Sequence, residues 1–257
     1  KDDFENNLNV FSFIHAKDKD RALADFRKRL NGDEFTGSEY LAIRKDGKEF
    51  PVLMYTSNIY QNDTITGIRG IVVDITDRKQ FEEKIISRDK LLSGLVECLQ
   101  NLLHSELDFE KYVGNALKAL GRAAEVQRVI LYESHDKNKH LSKKLEWISG
   151  DISLPPETPE LININLQRDG FGRWQDAFIK DEIITGHIKD FPESERKILE
   201  QQNIKSLLLV PFSVFNCFGG YIGFDCFEKE KVFSNTEIGI LRGAAGSLGL
   251  AFEKKKT

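Results

Sequence analysis

The side chains able to do chemistry are few and scattered. Cys98, Cys217 and Cys226 show no CxxC spacing, so neither a zinc motif nor a redox dithiol motif is present. Thiol chemistry needs an accessible low-pKa sulfur and a resolving partner. Cys217 and Cys226 flank an expected hairpin and are the pair that would serve; otherwise each is a small buried hydrophobe. His15 has no second ligand at helical spacing and reads as a turn residue that hydrogen-bonds backbone before a helix, so no metal site is expected. Gly243 and Gly246 lack the spacing and preceding strand of a phosphate cradle and read as close packing.

The elements that must position these residues fall into two groups. Residues 1–76 read as a short apolar run at Phe11–His15, a helix capped by Asp18, and three strands. Lys45-Asp46-Gly47 supplies a hairpin turn, and Phe50, Val52 and Met54 alternate along the second strand. Residues 105–257 read as an α/β unit. Asp108 caps a helix to Glu125, and strands follow at 127–133, 145–148, 182–184, 206–213 and 220–227, with Gly219-Gly220 as the last turn. Pro155, Pro156 and Pro159 rule out regular structure in one loop. Pro192 with Glu193 and Glu195 opens one helix, and Ser234 with Glu237 forms a capping box for the last.

Between them, residues 77–104 predict a long helix. Phe81, Ile85, Leu92, Leu95, Leu99 and Leu102 recur at three, four and seven, with Arg88 as the polar interruption. That is a heptad seam and predicts a parallel homodimer through this helix and the terminal one. Asp74 and Thr76 stand at its start, Thr76 as N-cap. Replacing Arg88 by leucine is expected to tighten the pair and blunt any signal passing along it.

The 257 residues are 40% hydrophobic and 30% charged, with a net charge of -4. This is a folded α+β chain without the basic face that nucleic acid requires. No apolar run approaches the ~20 residues of a membrane span, and free cysteines fit a reducing cytoplasm. The opening Lys1-Asp2-Asp3-Phe4-Glu5 lacks a signal peptide's apolar core. The charged helix still running at Lys254-Lys255-Lys256 predicts a piece of a longer protein.

Two resemblances organise these readings. Phe13-Ile14-His15-Ala16-Lys17-Asp18, Arg44-Lys45-Asp46-Gly47 and Gly70-Ile71-Val72-Val73-Asp74-Ile75-Thr76-Asp77-Arg78-Lys79 resemble the C-terminal part of a PAS domain, without its first two strands and helix. No PAS ligand is therefore expected. Ile204-Lys205-Ser206-Leu207-Leu208-Leu209-Val210-Pro211, Gly219-Gly220-Tyr221-Ile222-Gly223-Phe224 and Phe233-Ser234-Asn235-Thr236-Glu237 resemble a GAF domain of prokaryotic, archaeal included, sensor histidine kinases. The resemblance implies a truncated PAS meander, a relay helix with Asp74, Thr76 and Arg88, and a GAF antiparallel sheet flanked by helices. It further implies an unidentified small-molecule ligand in a GAF pocket, whose candidate lining is Trp147, Phe171, Trp174, Ile184, His187, Leu209, Phe224 and Cys226, residues that otherwise simply fill a core, and a kinase domain outside the chain, with no catalytic residue inside it. His104-Ser105-Glu106-Leu107 resembles a phospho-acceptor motif but lacks the arginine and proline that follow it. Some relatives attach haem to a GAF cysteine, which would use Cys226 and His187. A ligand-free dimerisation scaffold and a thiol-dependent methionine sulfoxide reductase are the alternatives.

Overall fold

The computed structural model describes residues 10–32, 37–135, 140–150 and 163–256. The proline loop around Pro155, Pro156 and Pro159 lies outside these residues. The chain divides into two compact units, Lys1–Ile86 and Ser87–Thr257.

In the first unit a 3-10 turn, Val10–Phe13, leads into α1, Ala16–Leu30. The cap is His15, whose Nδ1 accepts from Lys17 N at 3.2 Å. Asp18, the expected cap, lies inside the helix and instead accepts from Arg21 at 2.8 Å and from the Leu41 amide at 2.7 Å. Strands β1 (Ser38–Ile43), β2 (Glu49–Gln61) and β3 (Thr64–Asp74) form an antiparallel meander in that order. Asn62 and Asp63 turn β2 into β3 with φ of 51° and 59°, the left-handed pair of a tight hairpin. Ile14, Ala22, Tyr40, Ala42 and Val52 form the core between sheet and helix.

Helix α2, Thr76–Leu103, runs from the first unit into the second. The second unit continues with α3 (Phe109–Ala123), β4 (Arg128–His135), β5 (His140–Ile148), β6 (Asn163–Asn165) and α4 (Gly172–Ile179). It ends with β7 (Ile184–His187), α5 (Glu193–Gln201), β8 (Ser206–Val214), β9 (Cys217–Cys226) and α6 (Asn235–Lys256). The six strands form one antiparallel sheet, ordered β6-β5-β4-β9-β8-β7. Side chains alternate between its two faces. Val129, Leu131, Leu208, Val210, Ile222 and Phe224 pack under α3, α6 and the second half of α2. Ile130, Tyr132, Leu207, Leu209 and Tyr221 pack against Phe171, Trp174 and Phe178 around α4, and against Leu199 of α5. Coverage on both sides explains why β8 reads as an unbroken apolar run.

The last hairpin departs from expectation. Its turn is Phe215-Asn216, with φ of 50° and 60°, and not Gly219-Gly220. Gly220 is inside β9, where a Cβ would lie 2.0 Å from the Tyr132 carbonyl oxygen. The glycine is required by close strand approach, which looks the same in sequence as a turn. Helix α3 stops at Ala123 and not Glu125, because Glu125 takes a left-handed φ of 53°.

Candidate functional site

The candidate ligand residues do not converge on one site. Phe171, Trp174, Ile184 and Leu209 share the sheet face that carries α4 and α5. There the rings are packed on one another: Phe171–Trp174 at 4.3 Å, Phe178–Tyr221 at 5.1 Å and Tyr132–Tyr221 at 4.9 Å between centroids. Burial pushes the Tyr221 phenol well above its ordinary pKa. Trp147, Phe224 and Cys226 belong to the opposite face, with the helix layer. Trp147 lies over Gly121 of α3, where a Cβ would meet its ring at 2.1 Å. Alternation along β9 sends Phe224 and Cys226 away from Tyr221, and two residues of spacing cannot undo that parity.

His187 is at the end of edge strand β7 and lines a surface cleft of about 560 Å³ with Arg173, Thr185, Asp190, Lys231 and Phe233. Its Nδ1 is 3.7 Å from the Glu230 carboxylate. Across the sheet His187, Ser206 and Cys226 are directly opposite one another. Two strand spacings, about 10 Å, therefore separate His187 from Cys226, with the buried Ser206 between them, and the pair cannot grip one iron atom.

Burial pushes the Cys226 thiol up, against the hydrogen bond with Ser206. Cys217 is exposed. The two cysteines begin and end β9, so about 30 Å of extended chain lies between them. The expectation that they approach across a hairpin fails because the turn precedes Cys217. Among the described residues no cluster of three or more His, Cys, Asp and Glu side chains could hold a metal ion.

Two buried polar assemblies escaped sequence reading. Arg128 donates to Asp225 at 2.7 Å, reaches Glu146 at 3.6 Å, and lies 5.2 Å over the Phe227 ring. Glu195, read from sequence only as a helix first-turn residue, is buried. It accepts from Trp174 Nε1 at 2.8 Å and from Arg173 at 2.6 and 2.9 Å, tying α5 to α4. Nothing local announces a pairing across 97 residues; only the Arg128–Asp225 strand register brings it about.

At the start of α2, Asp74 does the capping. Its Oδ1 accepts from the Thr76 amide at 2.9 Å and the Thr76 hydroxyl at 2.5 Å, while Oδ2 pairs with Arg44 at 2.6 Å. These donors, Thr76 first, hold the Asp74 carboxyl below its usual pKa. Lys79 pairs with Glu39 at 2.6 Å and Arg78 with Glu39 at 3.4 Å, fastening the first turns of α2 to β1. Arg88 is exposed. Of the expected seam, Phe81, Ile85, Leu92 and Leu99 are exposed, Leu95 packs partly on its own core, and Leu102 is buried in it.

The phycoerythrobilin-bound GAF domain from a cyanobacterial phytochrome superposes with a TM-score of 0.55 at 14% identity, over 65% of this chain and 96% of that one. The second unit has the GAF fold. A phycocyanobilin-bound GAF domain from a cyanobacterial phytochrome agrees, with a TM-score of 0.52 at 13% identity over 63% of this chain and 96% of that one. No family model matches the chain. In sequence it is 35% identical over 195 residues to the methanogenesis regulatory histidine kinase FilI of Methanothrix harundinacea (strain 6Ac), a match that takes 75% of this chain and 22% of that protein. The chain is thus similar to a portion of a histidine kinase and contains a GAF-type antiparallel sheet flanked by helices. No described helix is long and apolar enough to cross a membrane.

Proposed function

We propose that this chain is the sensory and relay region of a two-component histidine kinase that works in the cytoplasm. Residues 1–76 act as the C-terminal part of a PAS domain, 77–104 as the relay helix, and 105–257 as a GAF domain that senses a small molecule. The kinase domain would follow in the full protein, and the active form is a homodimer joined through α2 and α6. The observation that carries this reading is the 35% identity to a histidine kinase over 195 residues, with the GAF fold of the second unit consistent with it. The exposed apolar stripe on α2 supports the dimer. The test is autophosphorylation of the full-length kinase with and without residues 1–257. Loss of regulated activity on deletion is expected; identical rates across a panel of cell extracts would overturn the sensory role.

A ligand-free dimerisation scaffold is the second reading. It is favoured by the ring-on-ring packing of Phe171, Trp174, Phe178, Tyr132 and Tyr221 on the sheet face beneath α4 and α5. Native mass spectrometry of protein purified from its source organism separates the two, since a retained metabolite or chromophore is incompatible with the scaffold.

A further inference from the structure

The apolar residues of α2 divide between two faces. Leu91, Gly94, Cys98 and Leu102 are buried in the core of the second unit. Phe81, Ile85, Leu92, Val96, Leu99 and Leu103 are exposed. Phe81, Leu92 and Leu103 are eleven residues apart, and Ile85 and Val96 repeat the same interval. With Arg88 and Leu99 they complete an eleven-residue repeat. At 3.6 residues per turn all seven positions fall within about 80° of arc. Leu95 and Leu102 lie about 60° and 80° from the centre of that arc, because a seven-residue repeat drifts round a straight helix. Leu102 is 7% exposed and its neighbour Leu103 is 70% exposed, so the heptad positions turn toward the chain's own core while the eleven-residue positions stay outside.

We propose that a second copy of this chain docks in parallel along the eleven-residue stripe, displacing the heptad seam. The inference rests on the dimer proposed above and specifies its contact surface. Charge selects the occupant and its direction. Lys84 and Arg88 flank one edge of the stripe, Glu82 and Asp89 the other. Two parallel copies related by a twofold axis along the helices set each edge against the opposite edge of the partner, so unlike charges meet; antiparallel copies set like against like. Glu82 already pairs with Arg78 and Lys79. Among the described residues Arg88 and Asp89 have no ion pair in their own chain, and in the parallel pair each faces the other across the seam. Arg88→Leu would complete the apolar stripe and remove the penalty on the antiparallel arrangement.

The test is cysteine cross-linking in the full 257-residue chain, with Cys217→Ser removing the exposed thiol. Under mild oxidation Val96→Cys and Leu103→Cys should form covalent dimers, with Leu95→Cys and Leu102→Cys slower by about tenfold or more. Leu95, only partly packed, gives the comparison with Val96 without disturbing the deep core. Faster cross-linking at 95 and 102 would overturn the eleven-residue seam while leaving the dimer standing. A monomer by light scattering at micromolar concentration would overturn the dimer itself. Asp89→Arg should weaken dimerisation about tenfold, and Arg88→Asp with Asp89→Arg should restore it; an Asp89→Arg variant of unchanged affinity overturns the parallel assignment.

Discussion

The cysteines show how environment sorts identical side chains. Burial raises the Cys98 thiol to about 12 and pushes Cys226 up as well, while Cys217 is exposed at the foot of β9. A thiol reagent applied to the native protein at about pH 8 should therefore modify Cys217 alone, since the thiolate is the reacting form. Fast modification of a second cysteine would place Cys98 or Cys226 outside the core. Asp74 also has a readable titration. Its folded pKa lies below its ordinary value of 3.8, so its contribution is present above about pH 4 and is lost as pH falls through the depressed pKa. Asp74→Asn should lower the stability of the first unit at neutral pH, and the gap from wild type should close in denaturant titrations as the pH falls through the depressed pKa. His15 was legible as a backbone-bonding turn residue from its place before the helix, and its Nδ1 accepts from the Lys17 amide. The capping duty of Asp74 was not, since Thr76 is also an N-cap type and stands closer to the apolar positions of the helix.

At the scale of elements, the two units tell different stories about legibility. The meander, the long helix α2 and the GAF-type sheet were readable because alternation, turn residues and caps agree with one another. The site was not, because pocket membership depends on which sheet face a residue takes. One misplaced turn, Phe215-Asn216 in place of Gly219-Gly220, brought Cys217 and Cys226 falsely together. Close packing sets two further expectations. Gly94 on α2 has no room for a Cβ, which would fall 2.2 Å from the Ala123 Cβ. Gly94→Ala should force α2 and α3 apart and cost about 1–3 kcal/mol, measured by urea unfolding. Asp225→Ala strands the buried Arg128 with only the longer Glu146 contact and should cost about 3 kcal/mol. A change under about 0.5 kcal/mol in either case, the size of an ordinary surface substitution, would show that the core relaxes around these positions more readily than its geometry indicates.

For the whole molecule, the division of α2 between an inward and an outward face matters most. A helix of 28 residues extends about 42 Å, long enough to carry a displacement well beyond the fold that produces it. A straight helix pair with an eleven-residue repeat has little left-handed supercoil to wind or unwind. Turning α2 by the ~60–80° that would bring Leu95 and Leu102 into the seam pulls Leu102 out of the core, and exposing such a leucine costs about 2–3 kcal/mol. In the proposed relay the Leu102 socket would work as a detent. Small twists of the helix would be held against it and die out, whereas a push strong enough to free Leu102 would turn the helix in one step. Input graded at one end of such a relay would leave the other as a binary output.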